Sequence, residues 1–404
     1  MTTTANAASP GALAGLKVLD LSRFIAGPHC GMVLGDLGAE VVKVERARLG
    51  DDVRALAPEV NGESLYFLVF NRNKQSLTLD FRNPEAQALL RRLVAEADVL
   101  IENFRPGTME RMGLGWDEVH ALNPRLIMAR ISGFGQTGSR SAEPCFDAIA
   151  QATSGLMSIT GDPAGAPAMT GTFMVDYTTS LYATIGILSA LEQRHKSGEG
   201  QLVDVSLVGS GVSLMMTAIP EQLLLGRTMN RVGNRDRYSA PAQTFRDRNG
   251  EWVYLIAGND AHFPRLARIM GRLDLLEDER FSTLQARMAN TAAIEEIVAE
   301  FVARHEAEEI VALMREAEVT CAKIATVADI VADPYMTEAG HIAHVRHPSV
   351  GDLPMQASPI RMSETPTAIR RPPPRLGEHS GEVLDRWLAL APGEIETLKA
   401  RGVV

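Results

Sequence analysis

Residues 16–45, LKVLDLSRFIAGPHCGMVLGDLGAEVVKVE, contain the pattern that decides the fold. The apolar run at residues 16–21 has the length of a buried strand, and a turn over residues 22–28 follows it. Met32, Val33 and Leu37 then recur with helical spacing until Gly38, a residue type that commonly ends helices. A second apolar run at residues 39–45 completes a strand–helix–strand unit, the building block of parallel sheets.

Similar patterns continue along the chain. Asn83 and Pro84 open a helix, residues 99–101 form a strand, and residues 126–131 form another. We therefore predict an α/β fold with a large Rossmann-like, doubly wound parallel-sheet domain over residues 1–225, completed by residues 340–404. An arginine-rich stretch and further strand and helix patterns over residues 226–339 predict a linker and a second, smaller α/β domain.

Composition excludes several function classes. The 404 residues carry a formal net charge of -10, which argues against a general binder of nucleic acid or anionic membranes. Cys30, Cys145 and Cys321 are too few and too scattered for a disulfide framework, which favours a cytoplasmic protein. The N-terminus lacks the pattern of a signal peptide, and the most apolar stretch, residues 205–220, is too short to span a bilayer.

Two generic ligand-binding patterns are incomplete. The turn after the first strand has Gly27 before Pro28 but lacks the G-x-G-x-x-G glycines, which disfavours an NAD-dependent dehydrogenase. His341, His344 and His347 recur at three-residue spacing, but no CxxC pair or acidic partner accompanies them. The histidine spacing therefore does not predict a metal site.

Asp176 stands immediately before a long helical pattern that runs to His195. A structural role as the N-cap would let its carboxylate accept a backbone N–H from the first turn. A catalytic role is compatible with that position, because the helix dipole would keep the carboxylate ionised and a fixed carboxylate can attack an activated acyl group.

Many short strings along the chain, taken together and in this order, resemble the class III CoA-transferases, a family that also contains α-methylacyl-CoA racemases. The similar strings cover nearly the whole chain and lie at residues 18–21, 26–28, 37–46, 70–76, 98–107, 111–115, 123–127, 132–135, 188–192, 200–206, 333–334 and 376–379.

The resemblance implies transfer of coenzyme A (CoA) between an acyl-CoA and a free carboxylic acid, with Asp176 as the nucleophile. The intermediates would be a mixed aspartyl-acyl anhydride and an aspartyl-CoA thioester, so neither a metal nor a permanently bound cofactor is expected. The resemblance also implies CoA contacts at the following positions: Arg46, Lys74, Asn103, Phe104 and Arg111.

A racemase or epimerase is the alternative within the same family. Those enzymes resemble this chain but place a histidine where Phe146 stands, and phenylalanine cannot carry a proton. Asp147 matches an acidic residue that helps to shape the transferase active site. His29 is a possible substitute base, although a helix residue near the sheet is the simpler interpretation.

Other features bear on substrate and assembly. The oxalate-specific transferase has a glutamine near the position of Ile25, so the resemblance disfavours oxalate and formate as substrates. The arginines in residues 231–241 suggest binding of a second carboxylate, as in a succinyl group, or alternatively surface charge. The resemblance implies an interlocked homodimer, and a non-catalytic CoA-binding paralogue that works with a partner polypeptide remains a further alternative.

Overall fold

The computed structural model describes residues 10–404 and divides them into two compact units. The first unit contains the residues up to Leu156 together with Thr170–Thr217 and Tyr335–Val404. The second unit contains Met157–Met169 and Ala218–Pro334.

Strands alternate with helices along most of the first unit, and further strands and helices form the second unit. The strands are β1 (Lys17–Asp20), β2 (Glu40–Arg46), β3 (Glu59–Val60), β4 (Glu63–Ser64), β5 (Lys74–Leu79), β6 (Val99–Glu102), β7 (Ile127–Ser132), β8 (Leu202–Ser206), β9 (Ala242–Arg246), β10 (Trp252–Ile256), β11 (Thr320–Lys323), β12 (Ile342–His347) and β13 (Gly351–Gln356).

The helices are α1 (Ala26–Asp36), α2 (Leu65–Phe70), α3 (Pro84–Glu96), α4 (Thr108–Arg111), α5 (Trp116–Leu122), α6 (Asp147–Thr153), α7 (Met174–Ser197), α8 (Leu207–Ser213), α9 (Ala218–Leu225), α10 (Phe263–Ile269), α11 (Leu284–Ala289), α12 (Thr291–Val302), α13 (Ala307–Glu316), α14 (Val327–Ala332), α15 (Pro334–Glu338), α16 (Ser380–Leu388) and α17 (Pro392–Ala400). Short 3-10 turns lie at Asp52–Ala55, Leu156–Ile159 and Leu273–Leu276.

The first unit is built on one parallel sheet of six strands in the order β5-β2-β1-β6-β7-β8. The order reverses between β1 and β6, which is the defining feature of a doubly wound sheet. This confirms the predicted α/β class and its parallel sheet. In such sheets, ligands bind beyond the carboxyl ends of the strands at the point of reversal.

Two apolar cores cover the two faces of this sheet. One contains Leu89, Leu90 and Leu93 of α3, together with apolar residues of α16 and α17. The other contains residues of α1 and α7, such as Leu34 and Ile187. The strands therefore lie between apolar layers on both faces, and this explains why β1 and β2 carry apolar residues at successive positions, Val18 and Leu19 in β1 and Val41 and Val42 in β2.

The predicted start of α3 is confirmed in detail. Asn83 is the N-cap, and its side chain accepts the N–H of Glu85 at 2.9 Å. Pro84 occupies the first helical position, where its missing N–H removes no helical hydrogen bond.

The second unit contains a three-stranded antiparallel sheet in the order β11-β10-β9. Its core is formed by apolar residues of these strands with α10, α12 and α13. Among residues 10–404, no helix by itself has both the length and the apolar content needed to cross a membrane, and only α8 and α9 taken together reach that level.

Candidate active site

Two cavities lie at the carboxyl ends of the strands of the first unit. The larger, here called the Asp176 cavity, has a volume of about 340 Å³ and is lined by residues 23–26, 103–106, 131–133, 143–146, Asp52, Ser141, Asp176 and Leu207. The smaller, here called the Arg46 cavity, has a volume of about 210 Å³ and is lined by residues 21–23, 43–46, 50–51, Phe81, Phe104, Thr108 and Met112. Arg23 and Phe104 line both cavities, so the two are neighbours.

The turn after β1 forms one wall of the Asp176 cavity and is held from two sides. The side chain of Asn103 accepts the N–H of Arg23 at 2.8 Å and donates to the carbonyl oxygen of Arg23 at 2.6 Å. Phe24 adopts a positive φ of 66°, and its N–H donates to Oδ1 of Asp51 at 3.2 Å. A positive φ is unfavourable for a bulky residue, so these contacts maintain a backbone shape that the turn would not adopt alone.

Asp176 lies in the first turn of α7, and the helix begins earlier than predicted. Phe173 is the N-cap and provides no side-chain hydrogen bond. Oδ1 of Asp147 accepts the N–H groups of Val175 at 2.8 Å and of Asp176 at 3.0 Å. The predicted capping role of Asp176 is therefore wrong, because a carboxylate from a different helix takes that role and leaves the Asp176 carboxylate in the cavity lining.

Burial and then the like charge of Asp147 raise the pKa of Asp176 from 3.8 to about 7. The helix dipole, which was expected to keep this carboxylate ionised, is therefore opposed by desolvation and by the charge of Asp147. Burial similarly raises the pKa of the Cys145 thiol to about 11. Of these two nucleophilic side chains in the cavity lining, only the carboxylate becomes ionised near neutral pH.

Three of the five predicted CoA-binding residues line the two cavities, and a fourth, Arg111, contacts a lining residue. Arg46 lines the Arg46 cavity, and its NH2 group donates to Oδ1 of Asp52 at 2.7 Å. Asn103 and Phe104 line the Asp176 cavity. Arg111 is exposed on α4 and donates to the hydroxyl of Thr108, a residue that lines the Arg46 cavity.

Lys74 does not join them. Its side chain is 0% exposed, and Nζ donates to Oδ2 of Asp20 at 2.8 Å, to the carbonyl oxygen of Pro28 at 2.6 Å and to Oδ1 of Asn71 at 2.9 Å. A lysine has three N–H donors, and all three are used. The predicted contact between Lys74 and CoA is therefore wrong for this structure, since the ammonium is buried beneath the site.

The three predicted substrate-pocket residues divide into two groups. Ile25 and Phe146 line the Asp176 cavity. Phe146 is 63% exposed, and its ring meets that of Phe24 edge to face with the two centroids 5.4 Å apart. Asp147 is buried behind the lining, where Gln151 donates to its second carboxylate oxygen. Phe146 thus presents an apolar ring where a proton-transferring histidine would stand in a racemase.

His29 is not placed to act as a base in either cavity. It belongs to α1, its Nδ1 pairs with the Ser180 hydroxyl, and its ring meets the edge of Tyr177. Burial and the nearby charge of Lys74 lower the pKa of His29 to about 4, so its ring is neutral. The interpretation of His29 as a helix residue near the sheet fits this position.

His344 and His347, two of the three histidines at three-residue spacing, have different partners. His347 is buried, with Nδ1 accepting the N–H groups of Ser349 and Val350, whereas His344 pairs with Asp352. Over residues 10–404, no group of three or more histidine, cysteine, aspartate or glutamate side chains is arranged to hold a metal ion.

The arginines that suggested a second carboxylate site are already paired within the second unit. Arg231 donates to the carbonyl oxygens of Asp162 and Gly165, and Arg235 donates to Glu295 at 2.6 Å. Because these guanidinium groups already have partners, the suggested dicarboxylate contact does not fit their placement.

Sequence reasoning missed several side chains of the cavity lining, and those with polar or thiol groups include Arg23, Asp52, Arg105, Ser132 and Cys145. Arg23, Arg105 and Ser132 stand at or shortly after the ends of β1, β6 and β7. The available signal was therefore the rule that parallel sheets bind ligands beyond the carboxyl ends of their strands.

Comparison with known proteins identifies the family. Residues 13–380 match the model of CoA-transferase family III. The chain is 39% identical over 396 residues to succinyl-CoA--D-citramalate CoA-transferase of Chloroflexus aurantiacus, covering 98% of each chain. It is 34% identical over 393 residues to succinyl-CoA:glutarate CoA-transferase of Mus musculus, covering 97% of this chain and 90% of the mouse protein.

The fold has a solved counterpart. A CAIB/BAIF family protein from Brucella suis superimposes with a TM-score of 0.84 at 36% identity, covering 94% of this chain and 100% of the Brucella chain. These similarities confirm the family predicted from the sequence. The chain belongs to CoA-transferase family III, and the two relatives named above are transferases that move CoA between an acyl-CoA and a free carboxylic acid.

Proposed function

We propose that this enzyme transfers CoA from succinyl-CoA to a dicarboxylic acid, with the Asp176 carboxylate as the nucleophile. The observation that carries the proposal is the position of Asp176 in the lining of the cavity at the sheet's point of reversal. The carboxylate is held on a helix whose N-terminus is capped by another residue, so it is free to react.

The chemistry proceeds through two kinds of activated aspartate. A carboxylate oxygen of Asp176 attacks the thioester carbonyl carbon, the carbon–sulfur bond breaks, and CoA leaves as the thiolate from a mixed anhydride. The thiolate then attacks the Asp176 carbonyl carbon, which releases the succinate carboxylate and forms an aspartyl-CoA thioester. The acceptor carboxylate repeats these steps in reverse and regenerates Asp176, with no net transfer of protons.

The surroundings of Asp176 suit these intermediates. Phe24, Ile25 and Phe146 give the cavity an apolar wall, which limits the water that would hydrolyse an anhydride. Arg46 lines the neighbouring cavity, and Arg111 donates to Thr108 of the same lining; we place the phosphate groups of CoA there. CoA is then a substrate rather than a permanent cofactor.

The dicarboxylate preference rests on the relatives and on one arginine. Both relatives named above use succinyl-CoA according to their names, and their acceptors are dicarboxylic acids. Arg105 lines the Asp176 cavity, is exposed, and has no side-chain hydrogen bond or ion pair among residues 10–404. We assign the distal carboxylate of the acyl group to Arg105.

Racemisation is the second candidate, and the cavity disfavours it. Two-base exchange at the α-carbon needs a second proton carrier facing Asp176. Phe146 occupies the relevant part of the lining, and His29 lines neither cavity. We further propose that the enzyme is cytoplasmic, as its few and scattered cysteines suggest, and that it forms a homodimer whose two chains interlock, as the family resemblance implies.

The mechanism is tested by trapping the intermediate. The purified chain is incubated with succinyl-CoA, treated with hydroxylamine, and digested for mass spectrometry. We expect hydroxamate on Asp176, and we expect Asp176→Ala to abolish transfer to glutarate. Asp117→Ala, at an exposed aspartate of α5 that lines neither cavity, should retain transfer. Label at another residue, or full activity in Asp176→Ala, would contradict the mechanism.

Two further measurements address the alternatives. Activity of the chain purified alone contradicts a non-catalytic paralogue that depends on a partner polypeptide. The absence of deuterium exchange at the α-carbon of the acyl-CoA in deuterated buffer excludes the racemase.

The role of Arg105 is tested by comparing two donors. Arg105→Met should lower kcat/KM for succinyl-CoA by about tenfold, since it removes a charge-assisted hydrogen bond. The same change should leave kcat/KM for butyryl-CoA, which lacks the distal carboxylate, within about twofold. Equal losses with both donors would place Arg105 at CoA rather than at the acyl group.

A further inference from the structure

Ser132, the last residue of β7, carries a buried hydroxyl without a partner. The residue is 7% exposed, and its Oγ has no hydrogen bond within the described part of the chain. Ser206, which pairs with it on the neighbouring strand, differs because its Oγ accepts the N–H of Gly209 at 3.1 Å. A buried unpaired hydroxyl is unfavourable, so its retention points to a partner that arrives with the ligand.

The hydroxyl belongs to the same cavity as the nucleophile. Ser132 lines the Asp176 cavity and does not line the Arg46 cavity. Cys145 is close to both residues. It packs against Gly133, the residue after Ser132, so closely that a Cβ added to this glycine would lie 2.2 Å from the Cβ of Cys145. Cys145 is also near enough to Asp176 for that carboxylate to raise the pKa of the thiol, after the larger effect of burial.

The other side-chain donors of the cavity are exposed, only partly buried, or already paired. Arg105 is exposed, and Ser141 and Cys145 are partly buried. Asn103 uses both atoms of its amide to hold the backbone of Arg23. The Nε of Arg23 is also unpaired, but its guanidinium binds Asp52 at 2.8 Å, lies 5.3 Å from the ring centroid of Phe104, and reaches the Arg46 cavity. Among the described residues that line the Asp176 cavity, Ser132 is therefore the one that is buried and uncharged and has a hydroxyl without a partner.

We propose that the Ser132 hydroxyl donates a hydrogen bond to the carbonyl oxygen of the thioester that Asp176 attacks. This inference rests on the proposed function. When the Asp176 oxygen bonds to the carbonyl carbon, an electron pair moves onto the carbonyl oxygen, and Ser132 stabilises the resulting negative charge. The pair returns as the carbon–sulfur bond breaks and the CoA thiolate leaves. Ser132 keeps its proton throughout and is a catalytic residue in the sense that it contacts the reacting carbonyl.

The test combines activity with stability for Ser132→Ala, using succinyl-CoA and glutarate as substrates. We expect kcat to fall about 10²-fold, with KM for succinyl-CoA within about twofold, because the bond strengthens in the transition state. The thermal midpoint should stay the same or rise, because the removed hydroxyl has no partner in the unliganded protein. Ser132→Thr, which retains a hydroxyl, should recover most of kcat.

Ser282→Ala, an exposed serine in the second unit, is the matched control and should behave as the wild type. Wild-type kcat in Ser132→Ala would overturn the inference. A lower midpoint together with unchanged kcat would also overturn it by assigning Ser132 a structural role. Asp176→Ala is assayed in parallel. If Asp176→Ala retains transfer, the proposed function fails. If Asp176→Ala is inactive and Ser132→Ala has wild-type activity, only the role of Ser132 fails.

Discussion

At the scale of single residues, two neighbouring carboxylates have different environments. Asp147 is buried and accepts two N–H groups from the first turn of α7. Asp176 faces the cavity and has a raised pKa of about 7 because of burial and then the charge of Asp147. Asp147 therefore positions the helix that carries the proposed nucleophile and, after burial, adds to the raised pKa of that carboxylate.

Asp147→Asn is expected to shift the pH dependence of transfer toward acid. The asparagine oxygen can still accept the helix N–H groups, but the like charge is gone, so the pKa of Asp176 falls while burial keeps it above its ordinary value. Because Asp176 attacks only as the carboxylate, the rate is lost as the pH falls through this pKa. The acid limb of kcat/KM should move down by about one pH unit.

The matched control for this profile is Asp204→Asn, at a carboxylate outside the lining of either cavity, and it should leave the acid limb in place. An unchanged or alkaline-shifted limb in Asp147→Asn would contradict the electrostatic coupling of the two aspartates. A circular-dichroism spectrum identical to that of the wild type would show that α7 keeps its capped start.

At the scale of elements, one buried lysine joins the strands β5 and β1 to the helix α1. Lys74 starts β5, Asp20 ends β1, and Pro28 lies in α1, and the lysine ammonium contacts all three. Burial lowers the pKa of Lys74 to about 8, which shows how strongly the ammonium is desolvated. Asp20 also accepts the N–H of Ser22, so the same network anchors the turn that lines the cavity.

Lys74→Met should destabilise the fold by about 3–5 kcal/mol, because the buried charge of Asp20 loses its partner. Urea unfolding followed by circular dichroism measures the loss. Adding Asp20→Asn to the variant should restore part of the stability, since it removes the uncompensated charge. A variant of normal stability but with a raised KM for succinyl-CoA would instead support the phosphate contact expected from the sequence.

At the scale of the whole molecule, α7 links the site to an exposed apolar face. Leu181, Tyr182 and Ile185 follow Asp176 on this helix and are 48%, 42% and 57% exposed. Neighbouring large apolar side chains on the outside of a protein are typical of interaction surfaces. This face is a candidate contact between the two copies of the proposed homodimer.

We expect light scattering after size-exclusion chromatography to give a mass twice the 43.8 kDa of one chain. Ile185→Glu should weaken the dimer, because a buried, unpaired charge is unfavourable at an interface. Ala121→Glu adds the same charge to an exposed position of α5 and should not change the mass. A wild-type chain that elutes as a monomer at all concentrations would contradict the homodimer.

The local pattern was sufficient for the fold class and for part of the site. The apolar runs and helical spacing of residues 16–45 predict the parallel sheet, because strand and helix periods are properties of neighbouring residues. Arg46, Asn103 and Phe104, which the resemblance assigned to CoA binding, line the cavities because each stands at or next to the carboxyl end of a strand.

By itself, the sequence determined the α/β class with its parallel sheet, the family and the aspartate in the cavity lining. Only the tertiary structure decided that Lys74 is buried, that Asp147 caps α7, and that the Ser132 hydroxyl has no partner. The physical reason is that these properties depend on which distant segments meet: Lys74 lies 54 residues from Asp20, and Asp147 lies 28 residues from Val175. Charge, burial and hydrogen bonding at the site are set by such contacts, which no local spacing of residues contains.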